Sequence, residues 1–193
     1  MDIFVKNLIN VFTIIDGKIN LLVNNNKLIE VECLDEFDIV NKNFIENNIN
    51  IKDLDLKQSY TFCKKQENKL VLTVLYIDIV NLNNIELNSE FSFVELDSLD
   101  KNNIYLNKSI EYLKQLIVLS DTMKKLYPEE FVLPEIQKIY EQLLEKKIDR
   151  RNFRKKLIKL DIIEDLNKIS SGKNGRPAKI YRFKNLEGKK ILL

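Results

Sequence analysis

The stretch Asp149-Arg-Arg-Asn-Phe-Arg-Lys-Lys-Leu-Ile-Lys-Leu160 decides how the second half of this 193-residue chain is organised. Asp149 is of a type that caps helix N-termini, and no Gly or Pro interrupts the residues after it. At about 100° per residue, Phe153, Leu157 and Leu160 fall within about 60° of one another, the buried stripe of a helix. Arg151, Lys155 and Lys159 fall on the opposite side, with Arg154 and Asn152 flanking them. Between Arg150 and Lys159 there are six basic residues and no acidic one. A helix face that is merely solvated mixes its signs, so this face points to a polyanionic partner.

Working outward, Phe131-Val-Leu-Pro-Glu-Ile-Gln-Lys-Ile-Tyr-Glu-Gln-Leu-Leu144 is an amphipathic helix upstream. Pro134 sits where the first helical residue belongs, and Ile136, Ile139, Tyr140, Leu143 and Leu144 mark one face. The break Glu145 to Ile148 is short, and helix, turn, helix is the order of a helix-turn-helix. Downstream, the pair Ile162-Ile163, the loop Ser170-Ser-Gly-Lys-Asn-Gly-Arg-Pro177 and the strand Ala178 to Phe183 form a two-stranded ribbon, the wing of a winged helix. The expected partner is duplex DNA. Arg151, Asn152 and Lys155 are expected at base edges, Arg150 and Arg154 at flanking phosphates or bases, and Lys173, Asn174 and Arg176 at the wing tip against the backbone or minor groove.

The first half is of a different kind. Asn7 to Val23 holds two β-rich runs around Asp16-Gly17, a hairpin signal because a type I′ turn needs positive φ at both central residues. A short run from Leu28 to Leu34 follows, then Asp35 to Asn48, a poor helix with Phe37, Val40, Phe44 and Ile45 at roughly helical spacing. Strands are expected over Ser59 to Cys63, Lys69 to Val80 and Phe91 to Leu96, and a helix from an N-cap at Ser109 to Tyr127. The fold class is therefore α+β: residues 1–107 a mixed domain for sensing or dimerisation, 108–127 a linker helix, and 128–193 the winged helix.

Charge follows the same division. The net charge of +2 conceals 12 Lys and no Arg against 18 acids in residues 1–120, and 19 basic against 11 acidic residues in 121–193. The chain has no His, which removes Ser-His-Asp and Cys-His nucleophile systems and His-containing zinc sites. Its two cysteines, Cys33 and Cys63, form no CxxC and are expected as buried reduced thiols. The N-terminus lacks a basic, apolar leader, and no apolar run is long enough to span a bilayer, so a cytoplasmic protein without a membrane partner is expected.

Glu130 to Tyr140, Asp149-Arg-Arg-Asn-Phe-Arg154, Gly175-Arg-Pro-Ala178 and Tyr181-Arg-Phe183 together resemble the winged-helix half of the NrtR family, Nudix-related transcriptional regulators of NAD metabolism. Val11 to Ile19, Gln58 to Phe62 and Val71 to Val80 resemble that family's Nudix-like domain more weakly. The resemblance implies a repressor that binds operator DNA as a homodimer, requires no cofactor, and senses ADP-ribose or a related nucleotide as effector.

It also implies where catalytic glutamates belong. A Nudix hydrolase carries G-x5-E-x7-R-E-U-x-E-E-x-G-U, whose glutamates hold the divalent cations. Framed on Tyr60-Thr-Phe62, the R-E-U-x-E-E core falls on Asn43 to Asn48 and the final glycine on Asn50, leaving Phe44, Asn47 and Asn48 in the carboxylate positions. Residues 24–35 contain no Gly, Pro or Trp, so the Trp-x-Leu-Pro-Gly-Gly segment of many relatives is missing. The domain is expected to have no catalytic or metal-binding residues, and it either binds ADP-ribose, binds another metabolite or only dimerises. A divergent hydrolase and an RNA-binding or protein-interaction module are the rival readings.

Overall fold

A computed structural model describes residues 2–33, 36–52, 54–119, 123–127, 130–170 and 177–184. Asp16 and Gly17 have φ of 51° and 74°, the two left-handed residues of a type I′ turn, and they join β1 (Asp2–Ile15) to β2 (Lys18–Asn24). Strand β3 (Ile29–Glu32) returns antiparallel along β1, with Ile9 opposite Ile29. Helix α1 (Phe37–Asn48) and the two-residue strand β4 (Asn50–Ile51) come next. They carry the chain to β5 (Lys57–Gln66), which turns back into β6 (Lys69–Ile79). Strand β6 lies parallel to β1, from Asp2 opposite Lys69 to Phe12 opposite Ile79. Strand β7 (Ile85–Glu86) pairs with β4, and β8 (Phe91–Glu95) with β2.

The chain divides into two compact units, Met1–Ile15 with Ile19–Leu113 and Asp16–Lys18 with Lys114–Leu193. In the first, the sheet order is β5-β6-β1-β2-β8, with β3 on the remaining length of β1. The central position of β1 explains its apolar run: Leu8, Ile9, Val11 and Phe12 are at most 3% exposed, as for a strand covered on both faces. Helix α1 has no side-chain cap at its start and little intrinsic propensity. It is held by inserting Ile45 and Ile49 into a core with Ile9, Val11, Leu22, Ile29, Val80 and Phe91.

Two expectations need correction here. The helix expected from Ser109 instead runs as α2 (Ile104–Leu119), followed by α3 (Met123–Leu126). The cap is Asn103, whose Oδ1 accepts from the backbone N–H groups of Tyr105 and Leu106 at 3.0 and 3.1 Å. Ser109 is fully buried inside the helix, where its hydroxyl donates to the Tyr105 carbonyl. The cysteines are not buried: Cys33 is half-buried and Cys63 exposed, because β5 is an edge strand with little over it.

The second unit is built on a three-stranded sheet ordered β10-β11-β9, from β9 (Phe131–Val132), β10 (Ile163–Ile169) and β11 (Lys179–Phe183). Helices α4 (Leu133–Leu144) and α5 (Arg150–Lys159) lie between β9 and β10 in sequence. Pro134 occupies the second position of α4 rather than the first, and the Glu135 carboxylate accepts from the Val132 N–H. The core comprises Phe131, Leu133, Ile136, Ile139, Tyr140, Leu143, Phe153, Leu157, Ile162, Ile163 and Tyr181, all buried.

Candidate nucleic-acid interface

Helix α5 is fixed from one side only. The Asp149 carboxylate caps it by accepting from the Asn152 N–H at 2.8 Å. Phe153 and Leu157 are its buried residues, and Phe153 meets Tyr140 edge to face with centroids 5.4 Å apart. Tyr140 is itself anchored, its hydroxyl donating to the Ile117 carbonyl of α2 at 3.1 Å. Burial of that hydroxyl pushes its pKa well above the ordinary tyrosine range.

The other face of α5 is open. Arg150, Arg151, Asn152, Arg154, Lys155, Lys156 and Lys159 are all exposed. Among the described residues none of these six cations forms an ion pair within 4.0 Å. Arg150 and Arg151 also stand in the first turn, where the helix dipole disfavours positive charge by about 0.3–1 kcal/mol each. A chain that carries that cost has placed charge for something outside itself. Arg154 leans toward the wing, close enough to Asp165 to contribute to holding its carboxyl ionised.

The strands of the wing behave in the opposite way. Lys179 pairs with Asp165 at 2.6 Å, and Lys168 with Glu130, Arg182 with Glu164 and Lys184 with Asp161 make three further ion pairs. The Lys179 hydrogen bond, then the Asn167 N–H, hold the Asp165 carboxyl below the usual range. The basic residues of β10 and β11 are thus neutralised in place, which their sequence did not disclose. Of the expected contacts, Arg150, Arg151, Asn152, Arg154 and Lys155 share one exposed helix. Lys173, Asn174 and Arg176 of the wing tip lie outside the described residues. Lys156 and Lys159 join the same exposed face and were not among the expected contacts.

Phe44, Asn47 and Asn48 of the first unit do not fit the divalent-cation site that a Nudix domain implies. Phe44 is half-buried and packs edge to face on Phe91 with centroids 6.2 Å apart, against the core. Asn48 donates to the Phe44 carbonyl at 2.8 Å, and Asn47 is exposed. Among the described residues no three His, Cys, Asp or Glu side chains come together as a metal site. A cleft of about 530 Å³ does open beside α1, lined by Asn41, Lys42, Ile45, Glu46 and residues 54–56. No helix among the described residues is long and apolar enough to cross a membrane.

Residues 124–183 match the family model of the NrtR DNA-binding winged helix domain. No curated protein matches the sequence. Over nearly the whole chain the fold is similar to that of Shewanella oneidensis NrtR, with 20% identity, 97% of this chain and 98% of that one covered, and a TM-score of 0.72. The same protein complexed with a 27mer DNA gives 18% identity, 93% coverage of both chains and a TM-score of 0.70. A MutT/nudix family protein from Enterococcus faecalis gives 14% identity, 95% and 87% coverage, and a TM-score of 0.65. The chain is thus α+β with a fold similar to that of NrtR, and its residues 124–183 match the NrtR DNA-binding winged helix domain.

Proposed function

We propose that the chain is a DNA-binding transcriptional regulator of the NrtR type, acting as a homodimeric repressor on duplex operator DNA. One observation carries this: α5 holds six exposed cations that form no ion pair among the described residues, whereas the cations of the wing strands are already paired. In this reading α5 enters the major groove. Arg151, Asn152 and Lys155 face base edges, and Arg150 and Arg154 face phosphates or flanking bases. Lys173, Asn174 and Arg176 would add wing contacts. Residues 1–107 serve as sensor and dimerisation body, 108–127 as linker and 128–193 as the DNA-binding part. The segment 124–183 that matches an NrtR DNA-binding domain supports the reading independently of charge. So does the fold shared with an NrtR solved on a 27mer DNA.

The test is equilibrium binding to duplex DNA against structured RNA of equal length at one salt concentration. Preference for duplex is expected, and equal affinity for RNA would overturn the assignment.

We further infer that the first unit does not hydrolyse nucleotides, since Phe44, Asn47 and Asn48 supply no carboxylate. It instead senses ADP-ribose or a related nucleotide. A thermal-shift screen tests this: an effector at ~100 times its Kd adds ~2.7 kcal/mol of stability. Magnesium-dependent release of phosphate or AMP from ADP-ribose would overturn the inference of inactivity.

A further inference from the structure

Between α4 and α5 lies a short turn whose backbone is hydrogen-bonded at several points to α4. Helix α4 ends with Glu145 in the left-handed region at φ 50°, its N–H bonded to Gln142 and that of Lys146 to Glu141 at 3.2 Å. This is the doubly bonded helix stop that usually employs glycine. Two residues later, both polar groups of the Ile148 backbone are taken by side chains of α4. The Ile148 N–H donates to Glu141 Oε1 at 2.9 Å. Its carbonyl accepts from Gln137 Nε2 at 3.0 Å. The same Nε2 donates to Glu141 Oε1 at 3.0 Å, so the two side chains, one helical turn apart, hold each other as well. Ile148 immediately precedes Asp149, the cap of α5.

We infer that Gln137 and Glu141 are positioning residues for DNA reading: they clamp the Ile148 peptide groups and so set the direction in which α5 presents Arg151, Asn152 and Lys155. The inference rests on α5 being the DNA-reading helix. Neither residue lies on α5, and neither adds positive charge to its exposed face. Their loss should therefore act on how well bases are read more than on how strongly phosphates attract. Base contacts require side chains placed to within an ångström or less, whereas phosphate attraction tolerates displacement of the helix. Lys147 also reaches Glu141, at Oε2 and 3.3 Å, but is almost fully exposed and adds little.

The experiment uses the full chain. Its preferred duplex is selected from a random-sequence library, and affinity is measured for that duplex and for a scrambled duplex of equal length. Glu141→Ala and Gln137→Ala are expected to lower the ratio of selected to scrambled affinity by about tenfold or more, leaving scrambled affinity and its salt dependence within twofold. Glu141→Gln retains an acceptor for the Ile148 N–H and is expected to recover most of the ratio. Amide exchange at Ile148 should quicken in the alanine variants and stay slow in Glu141→Gln, a readout that needs no DNA. An unchanged ratio, or a parallel loss of both affinities with no rescue by Glu141→Gln, overturns the positioning role while leaving α5 as the DNA-binding helix. A parent chain that binds no duplex overturns both.

Discussion

Phe153 meets Tyr140 edge to face with ring centroids 5.4 Å apart, and this contact joins α5 to α4. Of the two buried side chains of α5, Phe153 is the larger, so it carries most of the apolar surface that holds the helix in place. Phe153→Ala is expected to destabilise the winged-helix domain by about 3–5 kcal/mol, and Phe153→Leu by much less. Denaturant unfolding followed by tyrosine fluorescence measures both. A loss below about 1 kcal/mol for the alanine variant would mean that α5 is held by something other than this contact.

The start of α2 separates a cap from a buried hydroxyl. Asn103 accepts two backbone N–H groups, and Asn103→Ala should cost about 1 kcal/mol. Ser109 only bonds back to the preceding turn, a contact that adds little to a helix, so Ser109→Ala should be close to neutral. Thermal denaturation of the two variants compares them directly. The reverse order would mean that the buried Ser109 hydroxyl contributes more to stability than the Asn103 cap.

Acid should weaken the winged-helix unit through two carboxylates. Glu141 is held below its ordinary pKa first by the Ile148 N–H, then by Gln137, while burial opposes the shift. Asp165 is lowered first by Lys179. Because both folded values lie below the unfolded ones, the unfolded chain binds more protons in that window and stability rises with pH. The contribution is fully present above the ordinary values of 4.5 and 3.8 and is lost as pH falls through the depressed folded values. Melting temperature followed from about pH 6 to 3 should fall on the acid side, with a shallower fall in Asp165→Asn. An identical acid limb in that variant would remove Asp165 from the account.

Paired and unpaired cations make opposite predictions. Lys155 has no described ion partner, so Lys155→Ala should weaken duplex binding and reduce the salt slope by about 1. The charge of Lys179 is already engaged by Asp165, so Lys179→Ala should leave the slope unchanged. Fluorescence anisotropy over a series of salt concentrations reads both. Both variants sit at exposed positions and should alter stability by no more than about 0.5 kcal/mol. Equal effects on the slope would show that the wing strands contribute phosphate contacts after all.

What the sequence disclosed were features whose cause is local. The type I′ hairpin at Asp16-Gly17, the apolar stripe of α4 and the basic face of α5 each arise from neighbours within a turn or two. What it did not disclose depends on residues distant in sequence. Strand β9 is two residues long and exists because Tyr181 pairs with Phe131 fifty residues earlier. The ion pair of Lys168 with Glu130 spans 38 residues. Helix α1 looked poor because its stability comes from burying Ile45 and Ile49, not from propensity or capping. Ser109 misled because a capping residue type also occurs inside buried helices, and only the backbone partners of Asn103 distinguish the two. In the interface, the members of the α5 face were legible as a set, while the Gln137–Glu141 clamp behind them was not. Its partner is a backbone group that has no signature in sequence.

The most direct measurement is the salt dependence of duplex DNA binding by the intact chain. If the exposed face of α5 meets the phosphates, log K falls linearly with log[salt] at about −0.9 per neutralised phosphate, up to about −5 per chain when all six α5 cations engage. Lys155→Glu should bind more weakly and with a shallower slope. A flat dependence on salt, or a Lys155→Glu variant that binds as tightly as the parent, would contradict the assignment of α5 as the DNA-reading helix.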